Sequence, residues 1–240
     1  MEDLPPKDAR TGISGLDDIL GGGFERARTY LIEGSPGTGK TTIAMQFLKA
    51  NEAAGDRCLY ITLSETENEL RATATSHGWD LAGISIYELV PPESLLDDEQ
   101  QQSLLYSSDL ELGETTRRIF EAFERVKPGC IVLDSLSEIR LLAQSSLRYR
   151  RQILALKHFF AKSGVTVLML DDLTTDSNDK TVHSVAHGVI RLEELTPEYG
   201  AERRRLRIIK YRGRRYRGGF HDFAIEQGGW RSSYGTYSRT

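Results

Sequence analysis

Residues 34–41 read Gly-Ser-Pro-Gly-Thr-Gly-Lys-Thr, a full match to the phosphate-binding pattern G-x-x-x-x-G-K-[ST]. Glycines at 34, 37 and 39 allow the backbone to curl until successive N–H groups aim at one centre, a nest for phosphate oxygens. Lys40 would set a compact positive charge on the β and γ phosphates, and the Thr41 hydroxyl is placed to hold Mg²⁺. The candidate nucleotide contacts are therefore Gly34, Ser35, Pro36, Gly37, Thr38, Gly39, Lys40, Thr41 and Thr42. The flanks agree. Residues 29–33 form a short, apolar, β-leaning run, and 40–54 carry Ile43, Ala44, Phe47 and Leu48 at helical spacing before Gly55. Strand, loop and helix in that order separate a phosphate site from a Gly-rich turn that matches by chance.

Such a loop needs a metal partner and a base. Asp134 closes the apolar run Cys130-Ile-Val-Leu. A carboxylate at the carboxyl end of a central parallel strand can orient Mg²⁺, although Ser135 and Leu136 beyond it also allow a helix cap. Glu65 lies just past residues 58–63, read as the strand beside the phosphate loop, and from there it could polarise an attacking water. Its other reading, an acid at a helix N-terminus favoured by the dipole, is compatible with that role. Asp171 and Asp172 follow the run 165–170, either sensing phosphate or metal-bound water or making a turn. Asn178-Asp179-Lys180 has the wrong order for the guanine-reading Asn-Lys-x-Asp, which favours adenine. ATP with Mg²⁺ is the expected ligand pair.

Periodicity supplies the elements that would position these groups. Strands are expected over 58–63, 84–90, 130–134 and 165–170. Helices are expected over 66–77, with Thr66 and Glu69 at capping-box spacing, over 113–127, with Ile119, Phe120, Phe123 and Val126 as its stripe, and over 147–163. Residues 91–112 read as a polar surface excursion. Residues 187–195, 205–211 and 221–226 read as antiparallel β. The fold class is α/β, a mainly parallel central sheet flanked by helices with a C-terminal antiparallel β segment. A chain of 240 residues without internal repeats suits one domain over 1–230 and a polar, frayed tail over 231–240.

Hydrophobic content of 39% and charged content of 28% describe a soluble protein, and no apolar run nears the roughly 20 residues of a membrane span. The N-terminus lacks a signal-peptide pattern, and Cys58 and Cys130 sit in expected core strands, so reduced thiols and a cytoplasmic location are expected. The net charge of −4 hides an asymmetry: nine of the fifteen residues 203–217 are Arg or Lys, whereas 93–114 holds acids and no base. A uniformly basic nucleic-acid binder is excluded, and one basic surface is left to explain.

From Thr11 to Trp230 the chain resembles the KaiC-like branch of RecA-type ATPases. The resemblance rests on the lead-in Thr11-Gly-Ile-Ser-Gly-Leu-Asp-Asp-Ile-Leu-Gly-Gly-Gly-Phe24, the phosphate loop, the strand ending at Asp134, Lys210-Tyr-Arg-Gly213, and Phe223-Ala-Ile-Glu-Gln-Gly-Gly229. It implies a RecA-like P-loop fold and a homo-oligomeric ring, a hexamer on the family's pattern. It also implies that Lys210 and Arg212 reach onto a neighbour's γ phosphate, where a cation can contribute about 10³–10⁵-fold. The remaining arginines then read as a solvated β face or as partners of the acidic 93–114 stretch. Two departures matter. The family's paired glutamates become Ser64-Glu65, which puts the hydrolysis rate in question, and its Ser-Thr phospho-acceptor pair falls near Ser184-Val185, leaving autokinase activity open on one hydroxyl.

The favoured reading is a slow ATPase that signals nucleotide state to protein partners. The alternative is a DNA-acting RecA-type recombinase or helicase motor. Its expected DNA loops hold Arg140, Arg148, Arg150 and Arg151 on one side but Asp171, Asp172, Asp176 and Asp179 with Lys180 on the other. Acids there suit a phosphate backbone poorly.

Overall fold

In a computed structural model, described here for residues 7–89, 104–173, 181–196 and 202–232, the apolar runs become the middle of one sheet. The lead-in makes β1 (Asp8–Ala9), α1 (Ser14–Leu20) and β2 (Phe24–Glu25), with β1 and β2 pairing as a small separate ribbon. Then follow β3 (Thr29–Gly34), α2 (Lys40–Ala53), β4 (Cys58–Thr62), α3 (Glu67–Ser76), β5 (Ile84–Glu88), α4 (Leu104–Val126) and β6 (Cys130–Asp134). The chain continues through α5 (Leu136–Ala143), α6 (Ser146–Ser163), β7 (Thr166–Asp172), α7 (Thr181–Val185), β8 (Gly188–Leu195), β9 (Arg203–Tyr211), β10 (Phe220–Glu226) and β11 (Gly229–Ser232).

The main sheet has the order β11-β10-β9-β8-β3-β7-β6-β4-β5. From β8 to β5 neighbouring strands run parallel, while β8, β9, β10 and β11 pair antiparallel. Parallel strands buried on both faces read as mainly apolar runs, and β3, β4 and β6 are buried along their whole length. Alternation sends Tyr30 and Ile32 of β3 into one core with Ile43, Phe47 and Leu48 of α2, and Leu31 into the other with Ile153, Leu156 and Phe160 of α6.

Three expectations need correction. β4 does not neighbour β3: β7 and β6 lie between them, because the chain crosses over before filling the gap. The helix expected from 113 begins at Leu104. Gly113 looked like a boundary, yet it sits in the helix with open space around it. Its cost of about 1 kcal/mol is offset by the burial of Leu112, Ile119 and Phe123. The rest of the expected polar excursion falls outside the described residues. Finally, three arginines of β9, and Arg214 beyond it, find acids outside the 93–114 stretch. Arg203 pairs with Asp222 of β10, Arg204 with Glu194 and Arg205 with Glu193 of β8, and Arg214 with Asp8.

Candidate nucleotide site

β3 delivers the chain to the loop at its carboxyl end, and α2 leaves from it. Gly39 takes φ 95°, and a Cβ there would lie 2.4 Å from Ile225 Cδ1 on the β10–β11 hairpin. Only glycine tolerates both. The α2 N-terminus has no side-chain cap and no acid in its first turn, so its leading N–H groups and dipole suit an anion. Lys40 is buried, and its Nζ lies 2.9 Å from the Gly34 carbonyl, 3.0 Å from that of Ser35 and 2.8 Å from Asp172 Oδ1. Its donors converge on the cradle. Thr38 closes the turn through its hydroxyl to the Ser35 carbonyl at 2.8 Å, and Thr42 is buried on α2.

Asp134, at the end of β6, is buried. Thr41 Oγ1 stands 3.4 Å from its Oδ2, and the Tyr60 hydroxyl donates to the same oxygen at 2.5 Å. Burial pushes the Asp134 carboxyl up, against the pull of the Tyr60 bond and of Lys40. A divalent cation would reverse that balance. Among the described residues no group of three or more His, Cys, Asp or Glu forms a metal cage. One hydroxyl and one carboxylate are a donor set that Mg²⁺ accepts when phosphates and waters complete its octahedron.

Glu65 reaches this edge although its strand does not touch β3. Thr62 pairs in register with Asp134, and the Thr62 hydroxyl donates to the Glu65 carbonyl at 2.7 Å and accepts from its N–H at 2.9 Å. Burial and then the Asp134 charge raise the Glu65 carboxyl, moving it toward the range of a working base. The cap of the helix that follows is made by others. Thr66 caps α3, and Glu69 returns the bond to the Thr66 N–H at 2.8 Å, completing the capping box. Among the described residues the Glu65 carboxylate forms no hydrogen bond or ion pair.

The two terminal acids of β7 divide. Asp172 holds Lys40, while Asp171 is buried against Arg140, with Nη–O distances of 2.6 and 3.1 Å, and against Ser137 at 3.1 Å. Arg140, one cation of the expected DNA loops, is thereby neutralised. Lys210 and Arg212 do not join the loop of their own chain. β9 runs against β8, so Tyr211 is level with Gly188 and hence with Tyr30, four residues before Gly34. At about 3.3 Å per residue that is roughly 13 Å along the strands, besides the width of β8. Lys210 donates to the His183 carbonyl, and Arg212 to that of Ser184 at 3.1 Å.

Two groups escaped the sequence reading. Tyr60 is one, a phenol in the buried run of β4, where such a group usually seeks a partner. Glu33, just before the loop, is the other. It is buried between His183 Nε2 at 2.6 Å and Arg191 at 2.6 Å, and these bonds outweigh burial and lower its carboxyl.

Fold and site together define a nucleotide-binding ATPase domain of the RecA type. The family model described as "ATPase: KaiC" matches residues 9–231, and the chain belongs to that family. Circadian clock protein KaiC2 of Synechocystis sp. (strain ATCC 27184 / PCC 6803 / Kazusa) is 28% identical over 229 residues, covering 91% of this chain and 39% of the relative. UPF0273 protein PH0284 of Pyrococcus horikoshii is 27% identical over 231 residues, covering 92% of this chain and 91% of the relative. Among solved structures, KaiC-like protein PH0186 from Pyrococcus horikoshii OT3 superposes with a TM-score of 0.77 at 26% identity, covering 94% of this chain and 98% of that one. The chain thus spans between 39% and 43% of the clock proteins it matches, and nearly all of these archaeal ones. Among the described residues no helix is long and apolar enough to cross a membrane.

Proposed function

We propose that the protein binds ATP with Mg²⁺ and hydrolyses it slowly in a homo-oligomeric ring, hexameric on the family's pattern, whose sites form between subunits. The observation that carries this reading is the division of the sheet. The phosphate loop, Asp134 and Glu65 share one edge, and Lys210 and Arg212 lie at the other. On this reading Gly34 to Thr42 would cradle the phosphates, Lys40 would exchange Asp172 for the β and γ oxygens, and Thr41 and Asp134 would hold Mg²⁺, whose chemistry there would be charge neutralisation. Glu65 orients the attacking water and takes its proton. Arg212 and Lys210 from the next subunit stabilise the transferring phosphoryl group. The single Glu65 supports slow turnover, and the ring would report nucleotide state to protein partners. Ser184 stands beside Arg212, so autophosphorylation there belongs to the same reading. The two buried free thiols support a cytoplasmic setting. Acids flanking the loop weigh against DNA as the partner.

Mixing two inactive variants tests this. Lys40→Ala and Arg212→Ala should each lose hydrolysis alone, and a mixture that forms mixed oligomers should regain part of it. There an intact loop meets an intact Arg212 at some interfaces. Mixed oligomers no more active than either parent would refute the shared site.

A further inference from the structure

The edge of the sheet opposite the phosphate loop carries more positive charge than Lys210 and Arg212 alone. A cavity of about 190 Å³ opens there, and Arg28, Thr29, Lys157, Val185, His187 and Arg212 are among the residues that line it. Its cations come from three separate elements: Arg28 just before β3, Lys157 from α6 and Arg212 just past β9. Lys210 adjoins them. Burial first, then the charges of Arg212 and Lys157, pull its ammonium below the usual lysine range.

Among the described residues the acid that pairs with this group is Glu25. Glu25 stands 3.4 Å from Arg28 and 3.5 Å from His187. Among the described residues Lys157 forms no hydrogen bond or ion pair, and the Arg212 guanidinium is held by the Ser184 carbonyl. The His187 Nε2 atom is buried without a hydrogen-bond partner. Gathered like charges oppose one another and contribute nothing to folding, so an anion is the natural complement of such a cluster. The neighbouring arginines of β9 show the contrast, since Arg203, Arg204 and Arg205 each have an acid. Lys157 also lies seven residues, or two helical turns, beyond Arg150, whose guanidinium reaches Ser184 Oγ at 3.3 Å. One face of α6 thus borders the segment on which Lys210 and Arg212 rest.

We propose that this cavity receives the terminal phosphate of a nucleotide held by a second copy of the chain, with Lys157 as a third cation beside Lys210 and Arg212. The proposal rests on the intersubunit reading above and adds a ligand-binding residue from a helix outside the Lys-x-Arg strand. The occupant is a nucleotide phosphate from another copy because the chain's own loop lies at the far edge of the sheet. Lys157 would bond a γ-phosphate oxygen as charge shifts onto the transferring group, and no proton or covalent bond changes hands at Lys157.

The test uses the assembled full chain with ATP and Mg²⁺. Lys157→Ala should lower kcat by about 10- to 100-fold, the range expected for one hydrogen bond to a charged group. Nucleotide affinity, set by the loop in cis, should change by less than about threefold. Lys157→Arg should recover most of the rate, and Lys157→Gln, which keeps the stem, should not. In mixed oligomers with Lys40→Ala, Lys157→Ala should regain activity as Arg212→Ala does. If Arg212→Ala is complemented while Lys157→Ala alone turns over like the wild type, this proposal falls and the ring reading stands. If no mixture of either variant regains activity, both fall. Inorganic phosphate is the other source of the same chemistry. If phosphate binds the wild type without nucleotide, and Lys157→Ala abolishes that binding while leaving hydrolysis intact, the cavity serves a free anion and the proposal is overturned.

Discussion

Tyr60→Phe removes one oxygen from the centre of the sheet and isolates what holds Asp134 in place. The phenol donates to Asp134 Oδ2 at 2.5 Å, and the two residues are 1% and 6% exposed, so water cannot replace the bond. A hydrogen bond to a charged group contributes about 1.5–3 kcal/mol net, and burial places this one toward the upper end. For a domain of this size, roughly 2–4 °C per kcal/mol converts that to a melting point lower by about 3–12 °C. The pH dependence makes the prediction specific. Burial already lifts the Asp134 carboxyl above its ordinary range, and the Tyr60 bond pulls the other way. Without the bond its folded pKa rises further. A carboxyl whose folded pKa exceeds the unfolded one contributes stability that is complete below the unfolded value and is lost as pH rises through the folded value. The Tyr60→Phe deficit should therefore widen between pH 4 and pH 8. Urea unfolding followed by circular dichroism across that range measures it. A deficit under about 0.5 kcal/mol, or one constant with pH, would mean that Tyr60 only fills space.

Lys40→Ala should abolish ATP binding in isothermal titration, because the cradle loses the one ammonium that meets both loop carbonyls and Asp172; near-native affinity would exclude the loop as the phosphate site. Glu65→Gln should bind ATP and fail to cleave it in single-turnover assays. In the wild type the rate should rise with pH through a limb above the usual glutamate range, since burial and Asp134 raise this carboxyl and only its ionised form accepts a proton. Persistence of that limb in Glu65→Gln would assign it to another group.

Local features were legible in the sequence where one residue type has one physical use. The glycines of residues 34–39, Thr66 with Glu69, and the apolar run ending at Asp134 each announced their geometry. Sheet order was not, because a strand's neighbours depend on crossovers that leave no local trace. That is why β4 was placed beside β3, and why Glu65 reaches the site by way of Asp134 and β6 instead. The pairing of the β9 arginines was hidden for a similar reason. Their acids, Glu193, Glu194 and Asp222, are near in space through antiparallel register, and Asp8 reaches Arg214 beyond β9 through the β1–β2 ribbon. Tyr60 carried a weak signal, a phenol in a buried strand, with nothing to say which carboxylate it would meet.

The register of β3, β8 and β9 bears most directly on how the chain could work. β8 runs parallel beside β3 as far as the phosphate loop, where Gly34 is level with Leu192, and the antiparallel return of β9 carries Lys210 and Arg212 to the opposite edge. α7 then joins the two ends. Its His183 side chain holds Glu33, the residue before Gly34, while the His183 and Ser184 carbonyls hold Lys210 and Arg212. A loop that shifts when it takes phosphate would move Glu33, and with it the seat of Lys210 and Arg212. On the intersubunit reading, each site's occupancy would be felt at its neighbour through a handful of hydrogen bonds. Such coupling is the physical requirement for a ring that reports nucleotide state as a whole.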